Sequence, residues 1–178
     1  MKLRAAGDDD IPQLELLIRA SVRQLQLDYS ESQREAALGS IFGVDRSLIA
    51  DGTYFVLADD AGKLAACGGW SRRATLFGGD ASPVKEERWL DPARDAARIR
   101  AFFVAPALAR QGLGTRLLQA CEEAARRAGF TRLELMATLA GVPLYARHGF
   151  VPVEETTATL VNGEALPLVR MRKDVVKA

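Results

Sequence analysis

The apolar positions of this chain switch between a helical and a strand period, and the switches divide it into elements. Leu14, Leu17, Ile18, Val22 and Leu25 recur at helical spacing, with Asp8-Asp9-Asp10 ahead of them as an N-cap and Pro12 near the first turn. Leu3–Ala6 precedes them as a first strand, Ser30 can cap a second helix over Glu31–Ile41, and Arg46–Ala50 makes a further short turn. Thr53–Ala58 and Lys63–Trp70 are β-rich runs joined by Asp59-Asp60-Ala61-Gly62, a hairpin signal. A third run of this kind, RIRAFFV over Arg98–Val104, breaks at Pro106. An amphipathic helix over Gly112–Ala128 then leads through Gly129 to a strand at Thr131–Met136. Cys121 shares a face of that helix with Leu117, Leu118 and Ala125, which makes it a small core residue. A closing hairpin runs Val151–Val161, turns at Asn162-Gly163 and returns over Ala165–Lys173.

The connection between the third run and its helix carries chemistry. Arg110-Gln111-Gly112-Leu113-Gly114-Thr115 sets two glycines at a helix start, where the first amides lack partners and the macrodipole is positive. Such a turn suits an anion, usually a phosphate, with Arg110 adding a charge and the Thr115 hydroxyl a hydrogen bond. No Gly-Lys-Ser/Thr ends the turn, so it is not a P-loop, and Leu117 stands where a dinucleotide fingerprint wants its third glycine.

Further on comes Leu144-Tyr145-Ala146-Arg147-His148-Gly149-Phe150. With Val104-Ala105-Pro106 and Arg110-Gln111-Gly112-Leu113-Gly114, it makes residues 98–152 resemble the GNAT superfamily of acetyl-CoA-dependent N-acetyltransferases. One position departs from the motif: Ala109 replaces an arginine or glutamine, and the arginine follows one place later. The resemblance implies an α/β (α+β) fold and a single domain over residues 1–178. Its mixed, mostly antiparallel sheet of about seven strands would be flanked by about four helices and splayed at an acetyl-CoA groove. It also implies acetyl-CoA as co-substrate and no metal. Phe102, Phe103 and Val104 would hold the pantetheine arm, the Val104 amide lying near the thioester carbonyl. Arg110, Gln111, Gly112, Leu113, Gly114 and Thr115 would hold the pyrophosphate, and Tyr145 would protonate the departing thiolate.

The general base is harder to place, because Arg98–Val104 contains no acid. Period-two alternation puts Arg98, Arg100, Phe102 and Val104 on one face. Two guanidiniums facing a cleft favour a carboxylate- or phosphate-bearing acceptor, unless they pair with acids on neighbouring elements. Glu86, Glu87, Asp91 and Glu134 are candidate bases, and a water chain is another. His148 fits a structural role at the end of a short helix, with Gly149 as its C-cap. Ser71–Ala97 is long for a connection in a compact domain and holds Gly-Gly, two prolines and Trp89. In the family arrangement it would lie between strands flanking the substrate end of the groove, where it is expected to form a lid or substrate wall, with Trp89 or Phe77 closing over the site. The alternative is a surface loop with a short helix at Pro92–Ala97.

Composition removes several other classes. The chain has 178 residues, 48% hydrophobic and 26% charged, with net charge +1, so no basic excess points to nucleic acid, and there is no acidic tail. No apolar run approaches a membrane span, and the single histidine rules out a multi-histidine metal site. Two cysteines outside any metal-like pairing and a start without an apolar leader give the expectation of a reduced, cytoplasmic protein. The leading function is acetylation of a primary amine on a small molecule, by direct attack in a ternary complex. Protein N-terminal or lysine acetylation and a non-catalytic acetyl-CoA-binding regulatory module are the alternatives. A homodimer is left open.

Overall fold

The computed structural model describes residues 1–176. Strand β1 (Lys2–Ala5) leads through a 3-10 turn at Asp8–Asp10 into α1 (Ile11–Leu25), which buries Leu14, Leu17, Ile18 and Val22. Helix α2 (Glu31–Ala37) opens on a reciprocal cap: Ser30 Oγ accepts from Gln33 N at 3.0 Å, and Gln33 Oε1 accepts from Ser30 N at 2.9 Å. It stops short of the expected Ile41 because Leu38 is extended and Gly39 turns left-handed at φ 86°. Arg46–Ala50 forms a true helix, α3, under an Asp45 N-cap, which brings the α-helices among the described residues to five.

The remaining elements are β2 (Tyr54–Ala58), β3 (Leu64–Ser71), β4 (Ala97–Val104), α4 (Leu113–Arg127), β5 (Arg132–Ala137), α5 (Val142–Arg147), β6 (Val151–Thr159) and β7 (Ala165–Asp174). The expected helix at Pro92–Ala97 is absent, since Ala97 already belongs to β4. The seven strands form one sheet in the order β1-β2-β3-β4-β5-β7-β6. Every neighbouring pair is antiparallel except β4 with β5. Strand β3 is buried at every position because helices cover both faces of the sheet. On one face α1 packs Leu14, Leu17 and Ile18 against Tyr54, Val56 and Phe103. On the other, α4 packs Leu118, Cys121 and Ala125 against Trp70, Ile99 and Phe130. No helix among the described residues is long and apolar enough to cross a membrane.

Two irregularities in β4 shape the centre of the molecule. The first is a bulge: Arg100 pairs with Gly69 and Phe103 with Cys67, so Ala101 and Phe102 together face Gly68 alone. Ala101 takes φ 58°, and the Phe102 ring lies so close to Gly68 that a Cβ there would approach it to 2.7 Å. The bulge overturns the expected common face. Arg100 and Phe103 turn to the α1 side, while Phe102 and Val104 turn to the α4 side. Strict period-two alternation fails because the extra residue reverses every side chain after it. The second irregularity is a splay. Strands β4 and β5 pair only at Ala97↔Leu133 and Arg98↔Glu134, and beyond that point β4 is bonded to β3 alone.

Candidate active site

The gap left by the splay is continuous with the turn before α4. After a 3-10 turn at Pro106–Leu108, Arg110 adopts φ 66° and Gly112 φ 82°, and α4 begins with no side-chain cap. The first amides of this fifteen-residue helix are therefore free for a ligand at its positive end. Gly114 lets α5 approach, since a Cβ there would lie 3.0 Å from Leu144 Cδ2. Arg110, Gly112, Leu113, Gly114 and Thr115 line the cleft; Gln111 does not. The Thr115 hydroxyl lies 3.0 Å from His148 Nε2, a contact that ties α4 to the end of α5 and that nothing in the linear sequence signals. The Ala109 departure leaves this geometry intact, because the turn presents backbone rather than the missing side chain.

From the turn the cleft runs along β4. The Ala105 amide donates to Ala65 O on β3 at 2.8 Å, so alternation directs the Val104 amide toward the open side. Tyr145 stands across from it on α5, its ring edge-on to Phe102 at 6.1 Å and to Phe150 at 5.8 Å. Its hydroxyl makes no hydrogen bond to another described residue. Burial, with Cys121 nearby, raises the phenol above its ordinary value, so it keeps its proton at neutral pH.

Beyond Tyr145 the same cleft, about 470 Å³ in all, reaches an apolar end walled by Leu25, Ile41, Phe42, Leu76 and Phe77, with Ser21, Gln26 and Arg100 as its polar members. Arg100 is buried and committed: its guanidinium pairs with Asp45 Oδ2 at 2.7 Å and donates to Gly78 O. Asp45 Oδ1 accepts from Ser47 N at 2.9 Å and from Lys85 Nζ at 3.2 Å. Burial opposes the charge on Asp45, but Arg100, Ser47 and Lys85 outweigh it and hold the carboxyl below the usual aspartate value. The segment around Gly78 is docked further by Gly79 N to Ser40 O at 2.8 Å and Asp80 N to Val44 O at 3.0 Å.

None of the four candidate bases lines this cleft. Glu134 is buried beneath Arg98, Arg170 and Arg172 in a separate polar cavity of about 590 Å³. Glu86, Glu87 and Asp91 are exposed, the first two bonded to Arg88 and Arg73. Indeed no aspartate or glutamate lines the cleft among the described residues. Both strand arginines are thus paired with acids rather than free to face a substrate. Of the two aromatic residues expected over the site, Phe77 lines it, whereas Trp89 is exposed and lies against Arg73 at 4.7 Å. Nothing in the linear sequence marks Asp45, Ser21, Gln26 or Gly78 for the site; locally Asp45 is the N-cap of α3, a structural role.

A seven-stranded sheet opened beside its fourth strand, with an uncapped helix start at the mouth of the gap, defines a cofactor-accommodating α/β enzyme fold. The family model described as Acetyltransferase (GNAT) family matches residues 19–150, and the chain belongs to that family. No curated protein matches the sequence at a significant level. Among solved structures, a GCN5-related N-acetyltransferase from Rhodopseudomonas palustris is 24% identical, with a TM-score of 0.71 over 98% of this chain and 95% of that one. The PaiA N-acetyltransferase of Thermoplasma acidophilum, solved with coenzyme A, is 15% identical, with a TM-score of 0.65 over 97% and 98%. A ribosomal-protein-alanine N-acetyltransferase from Brucella melitensis is 18% identical, with a TM-score of 0.65 over 98% and 100%.

Proposed function

We propose that this protein transfers the acetyl group of acetyl-CoA to a primary amine on a small molecule, by direct attack within a ternary complex. The observation that carries the proposal is the open edge of β4, running from the uncapped start of α4 to Tyr145. The donor fits the residues present. The amides of Leu113 and Gly114 and the Arg110 charge suit the pyrophosphate, and the Val104 edge suits an extended arm that bonds as a further strand. The Val104 amide is placed to stabilise charge developing on the thioester oxygen, a kind of contact worth about 3–4 kcal/mol. Tyr145, held neutral by burial, gives its proton to the departing sulfur. The coenzyme A held by the Thermoplasma structure supports the same donor.

A small acceptor is favoured by the docked wall at Leu76–Gly78 and by a lining that, among the described residues, has no carboxylate to attract a lysine-rich tail. We read residues 71–97 as a fixed substrate wall, not a moving lid, since Arg100 and the Ser40 and Val44 carbonyls already hold it.

A thiol-release assay with acetyl-CoA and a panel of amines tests the function. Tyr145→Phe should lower kcat at least tenfold, about 1.4 kcal/mol, with acetyl-CoA affinity unchanged. Turnover equal to wild type would remove Tyr145 from the mechanism. Acetyl-CoA binding without thiol release on any amine would favour the regulatory module.

A further inference from the structure

Among the described residues, the acceptor end of the cleft holds no group that can take a proton from an ammonium. The charged side chains that line the whole cleft among the described residues are Arg100 from β4, Arg110 from the turn after it, and Arg147 from α5; Tyr145 is the other titratable residue there. Asp45, which lies behind Arg100, is spoken for by Arg100, Ser47 and Lys85. Apart from the neutral Ser21 and Gln26, the remaining walls of this end are apolar. A protonated amine entering such a space loses water, meets only like charge and finds no counter-ion, and each of these effects disfavours the ammonium.

We infer that the acceptor is an amine of low basicity on an apolar body, taken up as its free base, with the protein supplying no general base. Amines beside a carbonyl and arylamines have this chemistry; polyamines and lysine side chains do not. The inference rests on the acetyl-transfer reading above and narrows its substrate. In the step itself, the nitrogen lone pair forms a bond to the thioester carbonyl carbon. The carbon–sulfur bond breaks, and its electron pair goes to sulfur. The Tyr145 phenol protonates that sulfur, and the proton shed by nitrogen restores the phenol through solvent. The products are the amide and the free thiol, and nothing else is consumed.

Two amines with one apolar body test this: phenylalaninamide, whose amine is weakened by the adjacent carbonyl, and phenethylamine, an ordinary alkylamine. Spermidine serves as the polycation. With wild-type protein at about pH 7, kcat/KM should be about tenfold or more higher for phenylalaninamide, because the gain in free base exceeds the loss in nucleophilicity. Raising the pH should close the gap, and the inflection for each amine should follow that amine's own pKa. A pH inflection common to both amines would reveal a base on the protein and overturn the inference, as would preference for spermidine. Ring-substituted benzylamines of graded basicity check that the adjacent carbonyl is not the cause; at about pH 7 the rate should rise as basicity decreases, and a rate that instead rises with increasing basicity would also overturn the inference. Absence of thiol release with every amine, while calorimetry shows acetyl-CoA bound, would instead overturn the transfer reading beneath it.

Discussion

The two halves of the cleft are built from different materials. The donor half is backbone: a bulged strand edge, two residues at positive φ and a helix start without a cap. Its parts lie close together in sequence, from Phe102 to Thr115, with Tyr145 completing it. The acceptor half is side chain. It gathers the end of α1, the segment before α3, the docked wall at Leu76–Gly78 and one residue of β4, and it holds them with a buried ion pair. A backbone site depends on conformation and is forgiving of most neighbouring side chains. A side-chain site around a buried charge is not, because removing one partner strands the other in a dry interior.

The largest effect should therefore come from Arg100. Arg100→Ala leaves Asp45 buried with only Lys85 as a counter-charge, and the expected loss is about 3–5 kcal/mol of stability in urea unfolding. The double variant Arg100→Met/Asp45→Leu should recover much of that loss, since an apolar pair removes both charges together. Acetyl-CoA affinity of the double variant should stay close to wild type while KM for the amine rises. If donor affinity falls as far as amine affinity, the two halves are one unit and the contrast fails. Acid gives an independent reading of the same pair. The folded pKa of Asp45 lies below its unfolded value, so its stabilisation is complete above the ordinary aspartate range. That stabilisation is lost as pH falls from about 4 through the lower folded value. Asp45→Asn should flatten this part of the stability profile.

Gly68→Ala strikes the donor half at a more crowded point than Gly114. The new Cβ would lie 2.7 Å from the Phe102 ring, which is itself wedged edge-on against Tyr145. Overpacking of this kind costs about 1–3 kcal/mol. The ring must move, and with it the bulge that aims Val104 at the gap. KM for acetyl-CoA should rise while KM for the amine holds, the reverse of the Arg100 result. A rise in amine KM alone would place the bulge in the acceptor half.

The same division explains how much the sequence disclosed. Helical and strand periods located the sheet strands and the long helices, because those periods record which face is buried. The donor turn was readable since Gly112 and Gly114 mark local backbone demands. The bulge was not, because the residue that permits it, Gly68, sits on the neighbouring strand and Ala101 carries no sign of its positive φ. That gap produced the mistaken common face for Arg98, Arg100, Phe102 and Val104. The helix expected to reach Ile41 failed similarly: the chain turns at Leu38 and Gly39, and Ile41 belongs to the acceptor wall, not to a helical stripe. Asp45 and Gly78 meet Arg100 only after the chain has folded, so no spacing rule connects them.

The smallest expected effect probes the one side-chain tie in the donor half. Thr115 Oγ1 and His148 Nε2 are 3.0 Å apart, and the hydroxyl lines the cleft. If the hydroxyl accepts from the imidazole N–H, its own hydrogen is directed to a phosphate oxygen, and the histidine acts by positioning it. Thr115→Val removes that hydrogen bond and keeps the side-chain shape. A single neutral bond is worth about 0.5–1.5 kcal/mol, which corresponds to an increase of about two- to tenfold in KM for acetyl-CoA, with kcat unaltered. His148→Phe should give a similar rise through loss of positioning, and the double variant should be no worse than either alone. Additive losses would mean that the two residues act separately. A loss well above tenfold from Thr115→Val would mean that side chains carry the donor half as they carry the acceptor half, and the distinction between the two would dissolve.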